Sequence, residues 1–446
     1  MTPMQNTQKK SFDFLFFAIA IALWIIGNAL VYSAVAMHNT GPLAGIFENQ
    51  LMWTAIGIVI VLFMVSVPID WYYKFAPFFY VGTILLLIVA LSGATEVKGA
   101  GRWINTPVPG LRFQPSEFAK IGLLLMLAQY FTKREITLLK PTSLIIPAIL
   151  VMIPFALVVR QPDLSTTLAL AVMSLPIFYW AGMKLVEVLF LISPVISAVL
   201  AIMPMIIAFV MRGTMDTTLT ATAAVEQQGG QFGILGTIPW AIFFVIICVL
   251  LYFARLPKIV TILVLALNLT TASAATLIWE NALGDFQKVR VISFINPQLD
   301  PRGSGYQVIQ SLIAIGSGRM TGKGFLQGTQ VNLAYLPEQH TDFIFAVLGE
   351  QFGFYGCVAV IILFFLFVAR ALYAVTNIND RFTNLLVVGA ASLFVYHIFV
   401  NIAMVIGLMP VTGLPLPFLS YGGSFTLTVS MLVGIILSAR SEREAG

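Results

Sequence analysis

The sequence predicts an all-α, polytopic integral membrane protein of about twelve transmembrane helices with one large extracytoplasmic loop. Of its 446 residues, 59% are hydrophobic and only 10% are charged, whereas soluble domains carry about 25% charged residues. The hydrophobic residues form long runs, and a helix needs about 20 of them to cross the hydrocarbon core. Such segments must be helical, because lipid cannot satisfy free backbone N–H and C=O groups.

The predicted spans follow from these apolar runs. They cover residues 14–37, 50–68, 75–93, 116–132, 143–160, 164–182, 185–211, 236–254, 258–279, 343–369, 384–408 and 418–439. The polar N-terminal stretch leads directly into a full-length span, so we expect an uncleaved first helix. Cys248 and Cys357 lie in apolar runs without the spacing of a disulfide framework or a metal site.

Lys and Arg residues predict that both termini face the cytoplasm. The short outer loops 38–49 and 409–417 contain none of them, and the charged tail 440–446 belongs inside. The basic residues of the predicted inner side are Lys9, Lys10, Lys74, Lys133, Arg134, Lys140, Lys184, Arg255, Lys258, Arg370, Arg381, Arg440 and Arg443.

Two longer outer loops, 94–115 and 280–342, hold most of the remaining basic residues. The second has about sixty residues, and structureless loops longer than about 15 are usually functional or disordered. Residues 305–318 have apolar side chains at helical spacing, which predicts a helix at the interface or re-entering the membrane. No internal repeat is visible, so we treat 1–446 as one membrane domain.

Asp300 is the single acid of the polar, turn-rich segment 293–307. An aspartate before a proline commonly starts a turn or caps a helix. Alternatively, Asp300 is a general base at the membrane surface. The nearby guanidinium groups of Arg290, Arg302 and Arg319 suit an anionic phosphate, although a solvated basic loop has the same composition.

Glu117 and Lys120 open the fourth span within "QPSEFAKIGL" (114–123). They are three residues apart and share one helix face, and Pro115 suits the first turn. Ionisable residues in a membrane helix are costly and usually functional. The pair is either catalytic or a structural ion pair that fixes a neighbouring helix.

Other polar residues stand at the ends of spans. We interpret Asp163 as the N-cap of the sixth span, while Gln161 could contact a ligand. Glu338 and His340 precede the tenth span. Their spacing matches no metal motif, so we interpret His340 as a hydrogen-bonded loop anchor.

Glu350 lies about two turns inside the tenth span and marks a functional position whose partner the sequence does not name. His38 and His397 are isolated, and we interpret them as packed or interfacial residues. Small residues around Ser420 introduce the last span and allow close helix contact.

Five segments are informative together. They are "GRWINTPVPGLRFQPSEFAKI" (101–121), "QPDLST" (161–166), "DPRGSGYQVIQSLIAIGSG" (300–318), "GKGFLQGTQVNLAYLPEQHTDFIFAVLGEQFGFYG" (322–356) and "GLPLPFLSYGGS" (413–424). In these segments the chain resembles the SEDS proteins, the shape, elongation, division and sporulation family that includes RodA and FtsW. The sequence pattern "AIGSG…GKG…GTQ" is more similar to that of RodA members than to that of FtsW members.

The resemblance implies a peptidoglycan glycosyltransferase of the bacterial inner membrane that polymerises lipid II for cell elongation and rod shape. Lipid II is a disaccharide-peptide on undecaprenyl pyrophosphate. The family's catalytic aspartate matches Asp300, as general base for the acceptor sugar hydroxyl, and its membrane ion pair matches Glu117 and Lys120. The residues expected to bind substrate are Arg102, Gln114, Gln161, Arg302, Tyr306, Gln310, Arg319, Lys323, Glu338, His340 and Ser420.

The resemblance also implies partners and cofactors. A class B penicillin-binding protein would cross-link the strands, and other elongation-complex membrane proteins and membrane lipid would complete the assembly, without nucleic acid. Arg102, Arg302, Arg319 or a bound divalent cation, Mg²⁺ or Mn²⁺, could stabilise the leaving pyrophosphate. The ligands of such a cation are unknown, and no organic cofactor is expected. Family members typically have ten spans, so twelve predict an extra-helix insertion at about 213–256.

Three other functions fit part of the sequence. Twelve spans and the membrane acids Glu117 and Glu350 suit a flippase or transporter of lipid-linked precursors, although transporters usually show repeats and midplane sites. A non-catalytic scaffold would recruit the penicillin-binding protein and would not need Asp300. A division-type, FtsW-like polymerase would have the same chemistry in another cellular role.

Overall fold

A computed structural model of the chain describes residues 12–36, 45–93, 95–97, 100–105, 112–140, 142–161, 163–215, 222–282, 288, 294–299, 303–333, 335–376, 378 and 380–441. Its α-helices are α1 (Phe14–Val35), α2 (Ile46–Ser66), α3 (Ile69–Gly93), α4 (Pro115–Thr132), α5 (Thr142–Val159), α6 (Leu164–Trp180), α7 (Leu185–Met215), α8 (Thr222–Ala254), α9 (Lys258–Leu277), α10 (Ser304–Gly318), α11 (Thr329–Asn332), α12 (Ile344–Val375), α13 (Arg381–Val405) and α14 (Gly423–Ser441).

Each of the twelve predicted spans is a helix, and the polytopic helical fold is confirmed. Within the described residues, ten helices are long and apolar enough to cross a membrane. The other two predicted spans are α4, which carries Glu117 and Lys120, and α6, which is only 17 residues long. The predicted helix at 305–318 is confirmed as α10.

A small sheet lies in the predicted outer loop 94–115, whereas the sequence predicts an all-α protein. It is antiparallel in the order β1 (Thr95–Val97), β2 (Ala100–Asn105) and β3 (Arg112–Phe113). Thr95 pairs with Trp103, and Ile104 pairs with Phe113. The sheet ends directly before α4, so it leads the chain into the helix that holds Glu117.

The chain divides into two compact units. The first comprises 1–134, 146–181 and 310–446. Its core is formed by α13 and α14, where 72% and 83% of the most apolar stretch is buried. α14 packs against α2, and α13 packs against α4, α6 and α12.

The second unit comprises 135–145 and 182–309. In it, α7 packs against α8 and α9. Its apolar core includes Phe190, Leu251 and Val260, and buried Asn268 Nδ2 donates to Ser193 Oγ at 2.8 Å. The single membrane domain and the insertion at about 213–256 stay predictions.

Candidate active site

The Glu117–Lys120 pair lies in the first turns of α4. The helix begins at Pro115, whose missing N–H costs nothing at this position. Lys120 Nζ lies 2.8 Å from Glu117 Oε1, and the two side chains are 1% and 5% exposed. Glu117 Oε2 is also buried and has no hydrogen-bond partner within the described residues. The predicted shared helix face is confirmed, and the pair is buried in the core of the first unit.

His397 on α13 is a third member of this buried network. Its Nε2 lies 3.2 Å from Lys120 Nζ, and its Nδ1 lies 3.3 Å from the carbonyl oxygen of Pro415. A carbonyl only accepts hydrogen bonds, so Nδ1 carries the proton and Nε2 accepts from the ammonium group. The lysine therefore connects α4 to α13, and the histidine connects both to the segment before α14.

Asp163 caps α6, as predicted, and also contacts the start of α4. Its Oδ1 accepts from Thr166 N at 3.2 Å, and its Oδ2 accepts from the Thr166 hydroxyl at 3.0 Å. Oδ2 also accepts from Gln114 Nε2 at 3.1 Å. The backbone N–H of Gln114 donates to Ser424 Oγ at 3.1 Å. The starts of α4, α6 and α14 are thereby joined around the ion pair.

The cavity beside Lys120 and His397 is too small for substrate. A cavity of about 10 Å³ is lined by Lys120, His397, Thr428 and apolar side chains. That volume is about what one water molecule needs, so a sugar does not fit there. Together with the burial of the pair, this favours a role in positioning the helices.

Two segments outside the helices meet at Ser420. Its hydroxyl donates to the carbonyl of Thr341 at 2.6 Å and accepts from Leu416 N at 2.8 Å. The N–H of Tyr421 donates to the carbonyl of His340 at 2.9 Å. The His340 carbonyl therefore joins the two segments, and the predicted role of the His340 side chain as a loop anchor stays a prediction. Burial raises the pKa of the Tyr421 phenol, and its hydrogen bond with Asn49 opposes part of that effect.

Gln161 is 1% exposed and lies in the turn that follows α5. Its Nε2 donates to the carbonyl of Leu87 on α3 at 3.2 Å. Its amide oxygen is buried without a partner within the described residues. The side chain thus joins two helices, and binding of substrate by Gln161 stays a prediction.

Lys323 has a carboxylate partner that the sequence could not name. Its Nζ lies 2.6 Å from Glu350 Oε1, and Glu350 is fully buried whereas Lys323 is 25% exposed. Arg319 is exposed and adopts a positive φ of 51°. Glu338 also has a positive φ, 54°, and its Oε2 accepts from the Thr341 hydroxyl at 3.3 Å.

The sequence matches the cell cycle protein family named for FtsW, RodA and SpoVE over residues 13–223 and 235–445. The chain belongs to this family. The matched ranges contain every candidate residue discussed above. They also contain the ten apolar spans that are long enough to cross a membrane, including Thr237–Ala254 of α8, whereas residues 224–234 of that helix lie outside the match.

Relatives within the FtsW/RodA/SpoVE family match over nearly their whole length. The chain is 31% identical to peptidoglycan glycosyltransferase MrdB of Escherichia coli K12, covering 98% of each chain. It is 32% identical to peptidoglycan glycosyltransferase RodA of Treponema pallidum, covering 97% of this chain and 98% of the relative.

A solved structure extends the comparison. One chain of a peptidoglycan synthase complex, described as coordinating polymerization and crosslinking, superposes with a TM-score of 0.67 and 25% identity. It covers 97% of this chain and 98% of the solved chain. The apolar helices and these relatives make the protein a multi-pass protein of the inner membrane.

Some predicted site residues lie outside the part of the chain that the structure describes. Asp300 and Arg302 are not among the described residues, and Arg102 lies in β2 without a described side chain. Tyr306 and Gln310 lie on α10 and are partly exposed. The assignment of Asp300 as the family's catalytic aspartate therefore rests on sequence resemblance.

The sequence alone does not predict two contacts of this family member. His397 is packed, as predicted, but its bond to Lys120 spans 277 positions. The Lys323–Glu350 bond spans 27 positions and depends on how the loop folds back. The one available signal was that a buried acid in a membrane helix needs a partner.

Proposed function

We propose that this protein polymerises lipid II into glycan strands at the outer face of the inner membrane, for cell elongation and rod shape. The observation that carries the proposal is the match, over 97–98% of the chain, to two relatives named as peptidoglycan glycosyltransferases. The protein is accordingly an enzyme of the glycosyltransferase class.

Asp300 acts in this proposal as the general base. Its carboxylate takes the proton from the acceptor sugar hydroxyl as that oxygen attacks the anomeric carbon of the donor. The bond from the anomeric carbon to the pyrophosphate oxygen breaks, and the pyrophosphate leaves with the electron pair. The cationic side chains of Arg102, Arg302, Arg319 and Lys323 stabilise the negative charge that develops on the leaving group.

In this proposal, Glu117 and Lys120 hold helices in position and do not contact the substrate. Their burial and the small cavity beside them support a positioning role rather than contact with sugar. Lys120 holds α4 against His397, while Gln114 holds the start of α4 against Asp163. A rigid helix assembly keeps the reacting groups within the narrow limits that catalysis requires.

A divalent cation is a separate part of the proposal. Among the described residues, no group of three or more His, Cys, Asp or Glu side chains could hold one. The need for a cation therefore stays a proposal. Polymerisation in EDTA, with Mg²⁺ or Mn²⁺ restored, tests the requirement.

A class B penicillin-binding protein is the proposed partner, and both termini are proposed to face the cytoplasm. The solved complex that couples polymerization and crosslinking supports the first proposal. The distribution of Lys and Arg supports the second. Copurification with the cognate penicillin-binding protein, and labelling of terminal cysteines from either side, test them.

The deciding experiment measures strand formation and lipid flipping in one sample. Purified protein in liposomes receives lipid II, alone or with its penicillin-binding protein, and moenomycin silences classical glycosyltransferases. Long strands on a gel are expected. Flipping without strands would instead favour the precursor flippase.

A further inference from the structure

The helix α12 is broken at Gly353, and a loop pairs with the broken ends. Gly353 has φ 63° and ψ −162°, which is outside the helical region. The loop is residues 319–324, here called the clasp. Four backbone hydrogen bonds join it to the break, from Phe354 N to Arg319 O (2.9 Å), Tyr355 N to Met320 O (3.1 Å), Lys323 N to Glu350 O (3.0 Å) and Gly324 N to Gln351 O (3.0 Å).

Glycines make this close pairing feasible. A Cβ added to Gly322 would lie 2.6 Å from Phe352 Cα, and one added to Gly353 would lie 2.7 Å from Met320 O. Both residues also have positive φ values, which glycine adopts without strain. The clasp is therefore held rigidly against α12, with Arg319 at one end and Lys323 near the other.

Glu350 lies beneath the clasp and accepts several hydrogen bonds. Its Oε1 accepts from Gln330 N at 2.9 Å, and its Oε2 accepts from Val331 N at 3.2 Å. The Thr329 hydroxyl adds a third bond at 3.2 Å. These neutral donors tie the carboxylate to α11, and the ammonium of Lys323 adds a positive charge to the same buried carboxylate.

Lys323 has the features of an anion-binding group held in place. Its Nζ donates to Glu350 Oε1 at 2.6 Å and to Thr329 Oγ1 at 2.7 Å. An ammonium group has three N–H bonds, and within the described residues the third has no acceptor. The side chain remains 25% exposed, so this third N–H is available to a ligand.

We propose that Glu350 is a positioning residue that holds the Lys323 ammonium so that its third N–H donates to a phosphate oxygen of the lipid-linked pyrophosphate. The exposed guanidinium of Arg319, on the same rigid clasp, adds positive charge to that surface. This inference rests on the proposed polymerase function and deepens it, because it assigns Glu350 a role in binding the leaving group.

A double-mutant cycle tests the assignment. The variants are Lys323→Met, Glu350→Gln and the double variant, with Lys133→Met as a matched control at an exposed lysine. We measure KM and kcat for lipid II, the Kd of undecaprenyl pyrophosphate, and thermal stability in detergent. Loss of a charged hydrogen bond is expected to raise KM and Kd roughly tenfold in Lys323→Met.

The coupling between the two substitutions distinguishes a positioning role of Glu350 from a purely structural one. If Glu350 acts through Lys323, the double variant has about the same KM and Kd as Lys323→Met alone. Additive losses that follow the fall in thermal stability would overturn the inference, as would unchanged KM and Kd in Lys323→Met. Wild-type protein without polymerase activity would overturn the proposed function itself, which separates the two failures.

Discussion

Lys120 Nζ lies 3.2 Å from His397 Nε2, although 277 positions separate the two residues. The same ammonium donates to Glu117 Oε1 at 2.8 Å. The three side chains form a buried chain of charged and polar groups between α4 and α13. Burying such groups costs free energy unless they are paired. Replacing a single member should therefore lower the stability of the protein.

Removing one partner of the Glu117–Lys120 ion pair should lower stability more than removing both partners. Lys120→Met or Glu117→Gln alone leaves a buried group without its partner, and we expect a loss of about 3–5 kcal/mol of stability. The double variant should lose much less. Unfolding in detergent measures each value, with Lys133→Met as control because Lys133 is exposed at the far end of α4. Equal losses in the single and double variants would contradict a coupled pair.

His397 should matter only while Lys120 is present. Replacing His397 with Phe removes the acceptor for the ammonium, and we expect a loss of about 1.5–3 kcal/mol. In a Lys120→Met background the same change should cost clearly less. Lys133→Met is a suitable control, since Lys133 is exposed. Equal costs in both backgrounds would show that the 3.2 Å contact contributes nothing to stability.

A side chain at position 353 should lower the stability of the protein. Gly353→Ala adds a Cβ at 2.7 Å from Met320 O and forces alanine into positive φ, so we expect a loss of about 1–3 kcal/mol or more. Gly316→Ala is the matched control, because no atom lies within 4 Å of its added Cβ. Within α10, that change should stabilise by up to about 1 kcal/mol. A stable, active Gly353→Ala protein would rule out the rigid clasp.

Asp13 should stabilise three helix ends together. It caps α1 through Phe16 N at 3.0 Å, lies 3.1 Å from Arg370 Nε and pairs with Arg440. Asp13→Ala should cost about 2–3 kcal/mol, since the cap alone is worth about 0.5–2 kcal/mol. Faster hydrogen exchange at the start of α1 would locate the loss. The exposed Asp70 provides the control, and equal effects at both sites would refute the assignment.

The hydrophobic runs predicted the helices well, because lipid imposes helical structure on any long apolar segment. The shared face of Glu117 and Lys120 followed from their spacing alone. The strand β2 was missed, since its segment alternates weakly and pairs only locally.

The remaining contacts depend on tertiary folding. Nothing local connects His397 to Lys120, or Glu350 to Lys323. The break at Gly353 was hidden because the predicted span 343–369 continues on both sides of it, and the same span also contains Gly349 and Gly356. Glycine within a helical pattern is tolerated and predicts no break by itself.

The most direct test compares wild type, Asp300→Ala and Asp300→Asn in lipid II polymerisation, with moenomycin present and with matched folding checked by thermal unfolding. The proposed general base requires long strands from wild type and a loss of at least about a hundredfold in both variants, since general-base catalysis contributes about 10²–10⁴-fold. Strands of equal length and yield from all three proteins would contradict Asp300 as the base.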